Sequence, residues 1–203
     1  MLIDKSLKEF TEELKANTPT PGGGGVAALN AALGVAQIMM VANHTIGKEK
    51  YAEHEELCKE ALEELEELRC ELLAGVDADA EAFGKMAEAY KLPSSTEEEK
   101  AEREIEIANA ALTASSAPLA VMQSGVKAME ICERLVGKSN PNLESDLKVA
   151  ALSLGAGIRS AKFNVDANMA ALKKKDPVLA TATEFLADEL LQQSAELSAK
   201  ILK

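Results

Sequence analysis

The chain reads as an all-α protein: an elongated bundle of long antiparallel helices, one domain over residues 1–203, paired as a homodimer. Three observations carry that reading. No segment alternates apolar and polar residues over strand length, whereas apolar residues recur by threes and fours almost throughout. Ala, Leu, Glu and Lys, all strong helix formers, dominate the composition. Aromatic residues make up 3% of the chain and Trp is absent, so a core rich in Ala and Gly needs helices that approach closely. A long thin bundle buries little surface alone, and its apolar and small-residue faces ask for a second copy.

Residues 2–16 predict an amphipathic helix with Leu2, Leu7, Phe10 and Leu14 on one side. Residues 18–28, TPTPGGGGVAA, then place Gly22, Gly23, Gly24 and Gly25 directly before an apolar run. Glycine lets another group come very close to the backbone, and Pro19 and Pro21 stiffen the approach by fixing φ. The free N–H groups of the following helix suit an anion or an electron-rich ligand edge. A packing loop is the competing reading. No Lys-Ser/Thr follows the glycines and no strand precedes them, so neither a Walker loop nor a dinucleotide fingerprint fits.

Residues 25–46 predict a nearly uncharged helix, buried all round and ended by Gly47. Its apolar run, 26–42, contains Asn30 and Gln37 and is slightly short for a membrane span, which points to a central strut. A helix over 50–90 carries Leu57, Leu65, Leu68, Leu72, Val76, Phe83 and Tyr90, with Gly75 as a bend point. It would span roughly 60 Å. After a break at Leu92, Pro93, Ser94 and Ser95, Thr96 caps a helix that opens on three glutamates and reaches about Val136. Its seam is Ala108, Leu112, Ser115, Leu119, Met122, Val126 and Met129, with a kink at Pro118. Residues 137–143 form a polar turn. A helix over 144–172 follows, its Ala150, Ala151, Gly155, Gly157 and Ala161 allowing close approach. Residues 173–176 are a charged link, and Pro177 starts the last helix.

The formal net charge of −12 argues against nucleic acid and against an anionic membrane surface. An acidic ligand would need a local basic pocket. Cys58, Cys70 and Cys132 show no metal-site spacing, and the odd count fits reduced thiols in the cytoplasm. The N-terminal residues show no signal-peptide pattern. With two histidines, His44 and His54, no zinc set and no Ser–His–Asp constellation can be argued, so no metal is expected.

Polar residues gather in three places. The first surrounds the end of the apolar helix: Asn43, His44 and Lys48. The second is the turn with Asn140 and Asn142 and the helix start with Ser145 and Asp146. Asn142 or Ser145 can simply cap that helix, and the helix dipole favours Asp146 there. Farther along, Arg159 and Lys162 are three apart and can face one way, ready for a ligand carboxylate. The third is Asp79, beside the stripe of Val76, Ala80 and Phe83. A carboxylate at the edge of a seam can carry a raised pKa and transfer protons; a partly exposed helix Asp is the plain alternative.

Taken in order, these segments resemble the cyclodeaminase/cyclohydrolase family of folate one-carbon metabolism. The resemblance rests on Pro21-Gly22-Gly23-Gly24 with Val26-Ala27-Ala28-Leu29, then Val41-Ala42-Asn43, Thr45-Ile46-Gly47-Lys48 and Tyr51. It continues in Asp79-Ala80, Ala82-Phe83, Tyr90-Lys91-Leu92-Pro93 and Thr96-Glu97-Glu98-Glu99-Lys100. It ends in Asn140-Pro141-Asn142, Ser145-Asp146, Val149-Ala150 and Asn164-Val165. Gly25 stands where the family usually has serine, and Ser139 where it usually has glycine.

The resemblance implies an all-α dimer that binds a tetrahydrofolate and needs no cofactor. Gly22, Gly23, Gly24, Asn43, Asn140, Asn142 and Ser145 would take the pterin edge, and Arg159 with Lys162 the glutamate tail. It implies hydrolysis of 5,10-methenyltetrahydrofolate to 10-formyltetrahydrofolate, or release of ammonia from the 5-formimino compound. Asp79 or Asp146 would supply the carboxylate, with His44 and Lys48 as further proton carriers to test. The chain's length resembles the stand-alone cyclohydrolases. A folate binder without turnover and a plain helical assembly dimer are the rival classes, and turnover separates them.

Overall fold

The computed structural model describes all 203 residues. It contains six α-helices, three short 3₁₀ turns and no strand. The helices are α1 (Leu7–Leu14), α2 (Gly23–Asn43), α3 (Glu55–Ala89), α4 (Glu97–Leu135), α5 (Glu144–Lys175) and α6 (Pro177–Ile201). Helices α2 to α5 alternate in direction. α2 packs against α3 and α5, α4 packs against the same two from the other side, and α6 covers the α4–α5 edge. α3 and α5 are therefore diagonal, held apart by α2 and α4.

Small residues set the spacing, as the composition predicts. A Cβ on Gly34 would meet Leu154 Cγ at 2.7 Å and the Ala150 carbonyl at 2.9 Å. One on Gly157 would meet the Ala27 carbonyl at 2.8 Å, and one on Gly125 would meet Ile158 Cγ1 at 2.7 Å. α2 and α5 thus touch nearly backbone to backbone. Gly75 belongs to the same device: it lies where α3 crosses Ala28 of α2, and α3 runs unbroken through it.

Several boundaries differ from the sequence reading, each for a local reason. Residues 2–16 divide into a 3₁₀ turn, Leu2–Asp4, and α1. Ser6 forms a capping box with Glu9, each side chain accepting the other's backbone N–H, and so starts a new helix. Of the four apolar residues placed on one side, only Phe10 is buried; Leu7 is exposed. α2 begins at Gly23, so Gly23, Gly24 and Gly25 form its first turn rather than a loop before it. Nor is α2 buried all round: Leu33 and Ala36 are exposed. α4 opens on the Thr96–Glu99 capping box and runs through Pro118 without interruption, with Leu112 on its exposed side. α5 extends to Lys175, so the expected charged link is its last turn. Asn140, not Asn142 or Ser145, does the capping, and it caps the 3₁₀ turn Pro141–Leu143.

α2 and a stretch of α4 are long and apolar enough to cross a bilayer. α2 is instead the strut on which α3 and α5 close. It is about 32 Å long at 1.5 Å per residue, against about 58 Å for α4. Its N-terminus therefore stops well short of the bundle's end.

Candidate active site

The first turn of α2 meets α3 and α5 at a polar point inside an apolar bundle. The Gly25 N–H donates to Asp79 Oδ2 at 3.0 Å. A Cβ on Gly24 would stand 1.9 Å from Asp79 Oδ1, so the carboxylate occupies the room that glycine leaves. From α5, Asn164 lies beside Gly23, its Oδ1 3.6 Å from where a Cβ would be. Gly22 is the N-cap and supplies no side chain. The N–H groups of Gly23 and Gly24 have no acceptor within the helix. A carboxylate, an amide and two free N–H groups thus converge where the helix dipole is positive.

Asp79 is half-buried, and desolvation raises its pKa above the ordinary carboxylate value while the Gly25 hydrogen bond pulls it back. Its surroundings otherwise stabilise the ionised form only through that N–H and the α2 terminus. This environment makes Asp79 a better proton acceptor than an exposed carboxylate.

The other polar residues occupy the opposite end of α2. Asn43 and His44 are exposed at its C-terminus, and Lys48 is exposed just beyond. Asn140 Oδ1 accepts from Tyr51 Oη and the Asn142 N–H, each at 3.1 Å. The Asn140 N–H donates to Thr45 Oγ1 at 3.0 Å. Asp146, half-buried in the first turn of α5, accepts from Gln37 Nε2 at 3.0 Å. Asn142 and Ser145 are exposed. A cavity of about 200 Å³ beside this group is lined by Tyr51, His54, Ser139 and Asn140, among others. Within one protomer, Asp79 meets α2 at Gly25 and Asp146 meets it at Gln37, so about 18 Å of helix separates them.

Arg159 and Lys162 also part company. Lys162 is 13% exposed and lies 2.7 Å from Asp166 and 3.0 Å from Asp188, tying α5 to α6. Burial works against its charge, but those hydrogen bonds outweigh it and hold its pKa above the ordinary lysine value. Arg159 is exposed and has no carboxylate partner. Sequence reasoning did not single out Asn164, Gln37 or Thr45 as site residues. Asn164 stands in the Asn-Val pair that contributes to the family resemblance, which was the available signal. Gln37 and Thr45 become visible only when the helices are packed.

The comparisons with known proteins bear on the family and the fold. The profile of the formiminotransferase-cyclodeaminase family matches residues 6–187. A methenyltetrahydrofolate cyclohydrolase of Methylorubrum extorquens is 43% identical over 168 residues, covering 83% of this chain and 81% of that one. The mouse formimidoyltransferase-cyclodeaminase is 33% identical over 99% of this chain; the chain spans 37% of that longer enzyme. The crystal structure of a formiminotetrahydrofolate cyclodeaminase from Thermotoga maritima superposes with a TM-score of 0.88 at 30% identity, covering 99% of this chain and 96% of the other. The chain belongs to the formiminotransferase-cyclodeaminase family.

Proposed function

We propose that the chain is a tetrahydrofolate one-carbon enzyme that hydrolyses 5,10-methenyltetrahydrofolate to 10-formyltetrahydrofolate. The observation that carries this reading is Asp79, held by the Gly25 N–H at 3.0 Å against an otherwise open helix N-terminus. The similarity to a cyclohydrolase at 43% identity over most of both chains supports it.

In this reaction a water oxygen adds to the carbon that bridges N5 and N10. The water gives a proton to a base, and the cation becomes a neutral tetrahedral centre. The C–N5 bond then breaks as the hydroxyl of that centre gives up its proton and N5 takes one up, leaving a formyl group on N10 and releasing one proton overall. Asp79 is placed to take the proton and return it. The N–H groups of Gly23 and Gly24 and the amide of Asn164 offer donors and acceptors to the pterin edge. No step calls on a metal or redox cofactor.

Similarity to cyclodeaminases favours a second reading, in which N10 attacks the formimino carbon on N5 and ammonia leaves. Both reactions pass through a tetrahedral centre at the same carbon. Purified protein given 5,10-methenyltetrahydrofolate should deplete its near-ultraviolet absorbance faster than the spontaneous rate. Ammonia release from the 5-formimino compound would instead support the second reading. Neither activity would remove both.

The working unit in this proposal is a homodimer in the cytoplasm. Leu33, the middle residue of α2, is 53% exposed. With Ala36 of α2 and Val149, Leu152, Ala156 and Phe163 of α5 it makes an exposed, mostly apolar strip along the α2–α5 pair. A two-fold axis near Leu33 would set the Gly23 end of one protomer beside the Asn43 end of its partner. Asp146, Asn140, Asn142, Ser145, His44 and Lys48 would then stand near an Asp79 site. The three cysteines are free thiols, which suits a reducing compartment.

A further inference from the structure

Tyr51 enters the family resemblance, yet no step of the reaction above uses it. Its hydroxyl has one protein partner: Tyr51 Oη donates to Asn140 Oδ1 at 3.1 Å. The 3₁₀ turn that carries it, Glu49–His54, breaks its helical backbone at Tyr51, where φ is −121° and ψ is 18°. Asn140 belongs to another segment, 89 residues away, the turn that leads into α5. The contact therefore ties two loops together at one end of the bundle.

Asn140 is committed through both its backbone and its amide oxygen. Its N–H donates to Thr45 Oγ1 at 3.0 Å. Thr45 is buried and gives its own proton to the Val41 carbonyl at 2.8 Å, so that hydroxyl is occupied in both directions. Asn140 Oδ1 accepts from Tyr51 Oη and from the Asn142 N–H. An amide oxygen has two lone pairs, and both are taken. Nδ2 has no acceptor within the protomer. Asn140 is half-buried and lines the cavity of about 200 Å³ together with Tyr51, His54 and Ser139.

A side-chain amide is a two-sided recognition group. Turned round, it exchanges donor and acceptor at nearly the same positions, and its neighbours decide which way it stands. Here turning would set the Nδ2 protons against the Asn142 N–H and leave the Tyr51 proton without its acceptor. The Asn142 N–H favours the observed orientation, and Tyr51 adds a second bond to it. With Oδ1 consumed inside the protein, Asn140 offers a ligand donors only.

We propose that Tyr51 is a positioning residue that keeps Asn140 a pure donor, and that Asn140 thereby selects a carbonyl oxygen, the 4-oxo group of the pterin. The inference rests on the folate reading above and on its dimer, in which the Asn140 end of one protomer stands near the partner's Asp79. An amino group in place of the 4-oxo oxygen would meet the Nδ2 donors with another donor and leave both unpaired. A site built for one hydrogen-bonding pattern rejects its opposite on that ground.

The test measures by calorimetry the binding of tetrahydrofolate and of its 4-amino-4-deoxy analogue to the wild type, Tyr51→Phe and Asn140→Asp. The wild type should bind the 4-oxo compound tighter by about tenfold or more. Tyr51→Phe keeps the ring and removes the hydroxyl, so Oδ1 retains one donor and the amide turns more readily to meet an amino group. The preference should fall to about threefold. Asn140→Asp keeps acceptors for Tyr51 and Asn142 and has no donor, so the preference should reverse. A role confined to holding the turn would lower the melting temperature of Tyr51→Phe and leave its preference at the wild-type value, which would overturn the proposal. Equal binding of the two compounds by the wild type, or an unreversed preference in Asn140→Asp, would also overturn it and leave the folate activity standing. A wild type that binds neither compound and turns over neither substrate would overturn the folate reading and this proposal together.

Discussion

A methyl group on Gly24 would stand 1.9 Å from Oδ1 of Asp79. The carboxylate and the missing side chain share one volume, so the glycine-rich turn and the acid form a single device. Gly24→Ala should push Asp79 from its place against the Gly25 N–H and cut turnover by about 10²-fold, the scale of losing a general base. Helix content should be retained. Gly84 is the control: nothing lies within 4 Å of its would-be Cβ, and it sits inside α3. Gly84→Ala should leave turnover intact and raise stability by about 1 kcal/mol. Steady-state assays and thermal melts on the two variants separate the effects.

The Asp79 environment also predicts a pH dependence of stability. Its folded pKa is raised, chiefly by desolvation. The stabilising contribution is therefore fully present below the ordinary carboxylate value, where both states are protonated, and is lost as pH rises through the raised folded value. Asp79→Asn keeps an acceptor for the Gly25 N–H and removes the buried charge. The variant should melt above the wild type near neutral pH, and the gap should close on acidification. A gap that grows toward acid would reverse the sign and contradict the assignment.

The close approach of α2 and α5 makes a packing prediction remote from the chemistry. A Cβ on Gly157 would meet the Ala27 carbonyl at 2.8 Å and Ala31 N at 2.9 Å. These are backbone atoms of a buried helix, with no rotamer to yield. Gly157→Ala should destabilise the fold by about 1–3 kcal/mol through overpacking, measured by urea denaturation. Gly155→Ala, whose Cβ would meet only Met129 Cε at 3.6 Å, should be tolerated.

The exposed strip along α2 and α5 predicts what separates protomers. Leu33→Glu places a charge at its centre without touching the buried core. The variant should sediment as a monomer at concentrations where the wild type is a dimer. If Asp146 and His44 act on the partner's site, the monomer should also lose turnover. A wild type that is monomeric at micromolar concentration would remove the dimer from the account.

The helices were legible because period and caps are local properties. The three glutamates after Thr96 and the proline at 177 mark starts that the structure retains. The Asp79 pKa direction was legible too, because Val76 and Phe83 set its position on the helix. Other features depend on packing. Ser6 can cap a helix or ride inside one, and Glu9 decides it. Gly23 reads equally as loop or first turn until α3 presents a carboxylate to the Gly25 N–H. The separation of Asp79 from Asp146 follows from their meeting α2 at Gly25 and at Gln37, about three turns apart, which no spacing in the sequence encodes.

The central claim is that Asp79 moves the proton when the bridging carbon is attacked. The most direct test is turnover of 5,10-methenyltetrahydrofolate by the wild type and by Asp79→Asn, with kcat and KM resolved separately. The account predicts that kcat falls by about 10²-fold or more while KM changes little, because Asn keeps the acceptor for the Gly25 N–H and the shape of the site. A variant that turns over at the wild-type rate would contradict it and shift the proton transfer to Asp146, His44 or Lys48.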